Sequence, residues 1–205
     1  MTQPEGEHRG DYQRLSEALY AALRPDPFYA ALEGGVAEPA RARQAMLYYY
    51  EYSIREAVAH GHAVLPDAGD FGASIWAVPL APEQERELSR RKKEMIAHRM
   101  GDTCLRIYAG ICEFMAEATS RVTSNQDWYL SILGVAPEQQ GQGLGAGLLE
   151  PVLEKADRAG VATYLETFTP GNMPFYRRLG YQDVGRFQEP ITDGPYWVMR
   201  RPPSS

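Results

Sequence analysis

No apolar run in this chain approaches the ~18 consecutive positions that a membrane span needs. The opening residues, MTQPEGEHRGDY, are polar and hold no apolar segment of the kind a secretion signal requires, so the cytoplasm is the expected location. Cysteine is scarce. Cys104 and Cys112 are the only two, and on one helix they would stand ~12 Å apart, too far for a disulfide. Both read as structural filler in a reducing compartment. Basic charge is also short: 21 Lys and Arg against 27 Asp and Glu leave a net charge of −6. That balance argues against a nucleic-acid partner held through phosphate neutralisation. Histidine is sparse as well. His60 and His62 flank Gly61, and two histidines without a third ligand do not make a zinc site, so no metal is expected. Repeats and low-complexity stretches are absent. The length of 205 residues suits one domain over 1–205, with 1–10 and 201–205 as loose ends.

What is present alternates between two periodicities. YQRLSEALYAAL places Leu15, Leu19 and Leu23 on one helical face, and Pro25 and Pro27 are read as its stop. A second helix runs from Pro39 to a glycine stop at Gly61. Two β-rich runs follow, HAVLP and FGASIWAVP, split by the turn-forming DAGD. Residues 82–121 turn helical in two halves divided at Gly101, with Asp102 as the expected N-cap of the second. DWYLSILGV is a strong strand. A helix to about Arg158, the strand ATYLETFT, a short helix NMPFYRRLG and the strands YQDVGRFQ and YWVMRR complete the chain. Strands and helices alternating in this way predict an α/β fold built around one sheet.

Leu133 to Gly147, LGVAPEQQGQGLGAG, holds five glycines in fifteen residues. Glycine at that density costs chain entropy and adds nothing to a core. A phosphate cradle explains it: Gly141, Gly143 and Gly145 pave the entry to a helix whose first N–H groups lack intrahelical acceptors and carry the positive end of the dipole. A dinucleotide fold is the second account, because Gly141, Gly143 and Ala146 match G-x-G-x-x-A, with Glu166 twenty residues on. Five residues separate that match from the strand, and about 60 remain after it, which fits such a fold poorly. A plain flexible turn is the third. Pro151 lies inside the helix that follows, and the residue its ring would crowd is Gly147.

The flanks favour the first account. Gln140-Gly141-Gln142-Gly143-Leu144-Gly145 has the form Q-x-x-G-x-G, a strand ending in V-x-P precedes it, and NMPFYRRLGY follows about thirty residues later. Together these resemble the acyl-CoA signature of the GNAT superfamily of N-acetyltransferases. Residues 128–181 look most like its puromycin N-acetyltransferase branch, which shares the proline in the loop-following helix. The resemblance implies a GNAT-like mixed central sheet flanked by helices, with 82–121 as a helical insertion before the central strand. It also implies acetyl-CoA as cosubstrate and a small-molecule primary amine as acceptor. Nucleic acid and membrane partners are not expected, and a homodimer is left open. A non-catalytic acyl-CoA sensor remains the alternative from another class. The family begins with a β-strand before its first helix, and residues 1–10 do not read as one.

By the same resemblance, Gln140, Gly141, Gln142, Gly143, Leu144, Gly145 and Ala146 contact the pyrophosphate, mostly through main chain. Leu133, Gly134 and Val135 pair with the pantetheine arm where the central strand splays from its neighbour. A backbone N–H near Val135 serves the oxyanion, a contribution usually worth ~3 kcal/mol. Tyr176 is the proton donor to the leaving thiolate, a task that suits a phenol of pKa ~10. Asn172 caps the short helix and is a candidate CoA contact. Glu166 is either the base that deprotonates the incoming ammonium through water, a solvated strand end or a salt-bridge partner, and Asp127 is read as a loop terminator. Tyr48, Tyr49, Tyr50 and Tyr52 cannot share one helical face, so some must be exposed or line a cavity. That cavity would suit a planar or apolar amine. Arg90, Arg91, Lys92 and Lys93 span a full turn and read as a solvated face.

Overall fold

The computed structural model describes residues 12–204. Helix α1 (Gln13–Leu23) buries Leu15 and Leu19 as their spacing predicts. The residues read as its stop do more than end it. Asp26 accepts a hydrogen bond from the Phe28 N–H at 3.0 Å and Pro27 takes the first helical position, so Pro-Asp-Pro opens a helix absent from the sequence reading, α2 (Pro27–Gly34). Helix α3 (Ala42–His60) then leads to strands β1 (His62–Val64) and β2 (Gly72–Ala77). Helices α4 (Pro82–Met100) and α5 (Asp102–Thr119) follow. Asp102 is the first helical residue rather than the cap; Gly101, at φ +94°, takes that position.

Strand β3 (Trp128–Val135), helix α6 (Leu144–Ala159), strand β4 (Thr163–Thr167), helix α7 (Met173–Arg178) and strands β5 (Gln182–Glu189) and β6 (Gly194–Arg201) complete the order. Among the described residues the six strands form one mixed sheet, β1-β2-β3-β4-β6-β5, in which only β3 and β4 run parallel. A dinucleotide fold needs a largely parallel sheet, so this topology removes that alternative. Residues 1–10, expected to be loose, fall outside the described residues. The other expected loose end is tied down: Arg201 belongs to β6 and grips both Asp157 carboxylate oxygens at 2.7 Å, and the Ser204 N–H donates to the same carboxylate. A bidentate, charge-assisted pair outweighs the local preference of Pro-Pro-Ser for disorder.

Helices cover both faces. On one, Leu19, Met46, Tyr50, Ile54 and Ile96 pack with Ile75 and Ile132. On the other, Leu149, Val152, Met173 and Tyr176 pack with Trp76, Leu130 and Leu165. Leu130 and Ile132 are two positions apart and would share a face in a regular strand. They do not, because Ile75 pairs with Ile132 and Trp76 with Leu130, leaving Ser131 as an extra residue, a β-bulge that resets the side-chain phase in mid-strand.

Candidate active site

Two backbone features meet at the end of β3. The first is a splay. Strand β3 pairs with β4 only through Trp128, Tyr129 and Leu130, against Thr163, Tyr164 and Leu165. Beyond Leu130 it remains bonded to β2 alone. The Ala136 N–H donates to Phe71 O on the β2 side, and in an antiparallel ladder successive residues point their main-chain groups to opposite sides. Gly134 therefore spends its groups on β2, whereas Leu133 and Val135 direct theirs into the opening. Of the three residues expected to pair with a pantetheine arm, Gly134 is thus not available, Leu133 is, and Val135 offers its N–H, its carbonyl being taken by the Gln140 side chain.

The second feature is the glycine turn. Gly141 and Gly143 adopt φ of +78° and +81°, with open space where a side chain would stand, so backbone conformation, not crowding, demands glycine there. The N–H groups of residues 141–145 find no acceptor among the described residues, whereas the Ala146 N–H already donates to Gly143 O. Ala146 accordingly shapes the cradle and is not one of its free donors. Gln140 turns its side-chain amide back onto Val135 O at 2.9 Å, locking the turn to the end of β3. Five free amides at the start of a sixteen-residue helix fit a diphosphate.

From the splay a cavity of about 720 Å³ runs between the helical layer and the sheet. Tyr176, Asn172 and Leu133 line it, as does Glu166. Tyr176 is buried, its ring edge-on to Phe175 and Tyr181 at 5.1 and 5.9 Å. Desolvation, with smaller contributions from Tyr181 and Asp26, holds its phenol well above the ordinary tyrosine range, so it stays protonated. Glu166 accepts hydrogen bonds from the Thr119 and Tyr129 hydroxyls. Both bonds favour its ionised form, but desolvation outweighs them and raises its pKa. Asn172 has helical backbone angles and its side chain makes no cap bond, which corrects the expected capping role and leaves it facing the cavity.

The deeper wall is aromatic. Phe28, Tyr29, Tyr49 and Tyr108 close a circuit of edge-on contacts, Phe28–Tyr29 at 5.1 Å, Tyr29–Tyr49 at 6.3 Å, and Tyr49–Tyr108 and Tyr108–Phe28 at 6.4 Å each. Of the four clustered tyrosines on α3, Tyr49 faces this cavity and Tyr50 enters the core. Lys92 departs from the solvated-face reading. It is mostly buried, ion-paired with Glu56 at 3.0 Å, and close to the rings of Tyr49 and Tyr52, whereas Arg90 and Arg91 stay exposed with Glu87. Asp127 is structural, bonded to Arg200.

The Acetyltransferase (GNAT) family matches residues 7–181 of this sequence. The chain belongs to that family. GNAT members use acetyl-CoA as cosubstrate, and this GNAT chain is an acetyl-CoA-dependent acyltransferase. It is similar to an uncharacterized N-acetyltransferase of Schizosaccharomyces pombe, 25% identical over 83% of this chain and 70% of that one. In fold it is similar to a Corynebacterium glutamicum structure described as histone acetyltransferase HPA2 and related acetyltransferase (TM-score 0.66, 20% identity, 96% and 93% of the two chains). It is also similar in fold to arylalkylamine N-acetyltransferase 2 of Aedes aegypti (TM-score 0.59, 15% identity, 94% of each chain).

Within this GNAT fold, several cavity residues escaped the sequence reading, Phe28 and Tyr29 of the aromatic wall among them. Asp26 faces the cavity from the α2 cap, and Thr119 and Tyr129 hold Glu166. Asp26 carried a legible signal, an acid before Pro27, while Thr119 and Tyr129 depend on packing between α5 and the sheet. Among the described residues no cluster of three or more His, Cys, Asp or Glu could hold a metal, and no helix is long and apolar enough to cross a membrane. His62 packs against Trp128 instead. A Gly143→Ala variant is expected to weaken acetyl-CoA binding about tenfold, because a Cβ in the left-handed region costs roughly 1–2 kcal/mol; titration calorimetry reads it directly.

Proposed function

We propose that this enzyme acetylates a primary amine of a small molecule by direct attack, with Tyr176 as general acid and Glu166 as base through water. The observation that carries this reading is the single cavity onto which the free edge of β3, the Tyr176 side chain and the Glu166 carboxylate all open. The cosubstrate supplies an acetyl thioester. The turn amides of residues 141–145 take its diphosphate, and Leu133 and Val135 take the pantetheine arm. The Val135 N–H holds the negative charge that develops on the carbonyl oxygen. Glu166 removes the proton from the incoming ammonium, which frees the nitrogen lone pair to form the new C–N bond. The C–S bond breaks, Tyr176 delivers its proton to the departing sulfur, and the second proton that the newly bonded nitrogen sheds restores the phenol.

The aromatic circuit supports a small, partly apolar acceptor, as does the resemblance of residues 128–181 to a drug-modifying branch. Cys104 and Cys112, both free thiols, fit a reducing cytoplasm. An assay of thiol release across aminonucleosides, aminoglycosides, polyamines and amino acids tests the proposal, with a lysine-bearing peptide as the macromolecular control. Turnover of at least one small amine is expected. Turnover of the peptide alone would overturn the small-molecule assignment.

A further inference from the structure

A second cavity, about 310 Å³, opens between α3, α4 and β2. It adjoins the reaction cavity: Glu85, Lys92, Tyr108, Tyr129 and Ser131 line both. Lys92 and Tyr108 stand where the two meet, and the Lys92–Glu56 ion pair fixes the lysine in place. The bulge at Ser131 lies at the same boundary.

Most of the polar side chains around this second chamber are already engaged, the Ser89 and Ser131 hydroxyls excepted. Glu56 holds Lys92, the Glu85 carboxylate accepts from the Leu80 N–H, and His60 bonds the Gln84 side chain. The Ser53 hydroxyl donates to Tyr49 O, and the Trp76 indole N–H donates to the Ser74 hydroxyl. What the chamber still offers is apolar surface from Ile75, Trp76, Val78, Leu80 and Leu88. A charged or hydrogen-bonding tail placed there would lose its water and gain little beyond two serine hydroxyls, whereas a hydrocarbon tail would lose only unfavourable hydration.

We infer that this chamber is the distal acceptor subsite and that the acceptor is an elongated amphipathic amine. Its amino group stands near Glu166 while an apolar tail passes Tyr108 and Lys92 into the pocket beside Leu88. The inference rests on the amine-acceptor reading above and extends it from a functional group to a molecular shape. Lys92 and Tyr108 act as specificity determinants at the neck, and the Lys92–Glu56 pair keeps an otherwise attractive charge from drawing anionic tails.

The test measures kcat/KM with acetyl-CoA for linear primary alkylamines of increasing length, beside α,ω-diamines of matched length. Each added methylene is expected to raise kcat/KM about fourfold, up to a plateau where the chamber is full, and the diamines should fall well below their monoamine partners. Leu88→Trp, and independently Val78→Phe, should flatten the length dependence and leave turnover of the shortest amine unchanged, which also reports that each variant is folded. A length-independent series, diamines equal to monoamines, or folded variants that keep the wild-type slope would overturn the subsite while leaving amine acetylation intact. Absence of turnover with every amine would overturn the amine-acceptor reading and this inference with it.

Discussion

Replacing Tyr176 with Phe is expected to lower kcat about 100-fold and leave acetyl-CoA affinity within about twofold of the parent enzyme. The substitution removes one oxygen and keeps the ring, which is wedged between Phe175 and Tyr181, so the local packing survives. Desolvation keeps the resting phenol protonated, so it holds a proton to give and is not the base that deprotonates the amine. If Tyr176 only filled space between α7 and the sheet, phenylalanine would fill it equally well and kcat would not move. Single-turnover measurement with saturating cosubstrate separates the chemical step from binding, and an unchanged rate there would remove Tyr176 from the mechanism.

Glu166→Gln is expected to lower kcat/KM about 100-fold near neutral pH and to abolish the acidic limb of the pH–rate profile. The sign follows from the environment. Desolvation raises the pKa of this carboxyl despite the opposing bonds from Thr119 and Tyr129, and a base works only when ionised. Activity of the parent enzyme should therefore fall, as pH drops, at a point above the ordinary glutamate value of about 4.3. Stability moves the other way. A carboxyl whose pKa is raised on folding favours the folded state at low pH, and that contribution is lost as pH rises through the folded value. At neutral pH the glutamine variant should consequently melt no lower than the parent. A variant that kept both the rate and the acidic limb would sink the assignment of Glu166 as the base.

The sequence disclosed the parts of this site that depend on local conformation. Gly141 and Gly143 announce the turn because few other residues tolerate their backbone angles, and Pro174 and Gly180 frame the short helix that presents Tyr176. The splay of β3 from β4 has no such signature. It arises where three rungs of pairing end, which only the register reveals. The bulge at Ser131 is equally silent, since it looks like one more residue in a run of strand formers.

Other differences show tertiary context overruling a correct local rule. Four consecutive basic residues do span a helical turn, but at 100° per residue one of them must look inward wherever the helix packs, and that one is Lys92. The pair Pro25 and Pro27 does end α1, yet Asp26 between them is a cap, so a stop was also a start. Arg201 was hidden by the prolines after it, because its partner Asp157 lies 44 residues away.

Because so few rungs join β3 to β4, the sheet behaves as two leaves hinged along one short seam, and ladder bonding does little to set the angle between them. That angle is fastened from the helical side, by Thr119 of α5 reaching Glu166 on β4 and by Thr169, just beyond β4, reaching Asp26 at the α2 cap. The slot proposed for the thioester is thus gauged by two side-chain latches, one of which also holds the carboxylate proposed as the base. Loosening either latch would widen the slot without altering any atom that lines the cosubstrate's path.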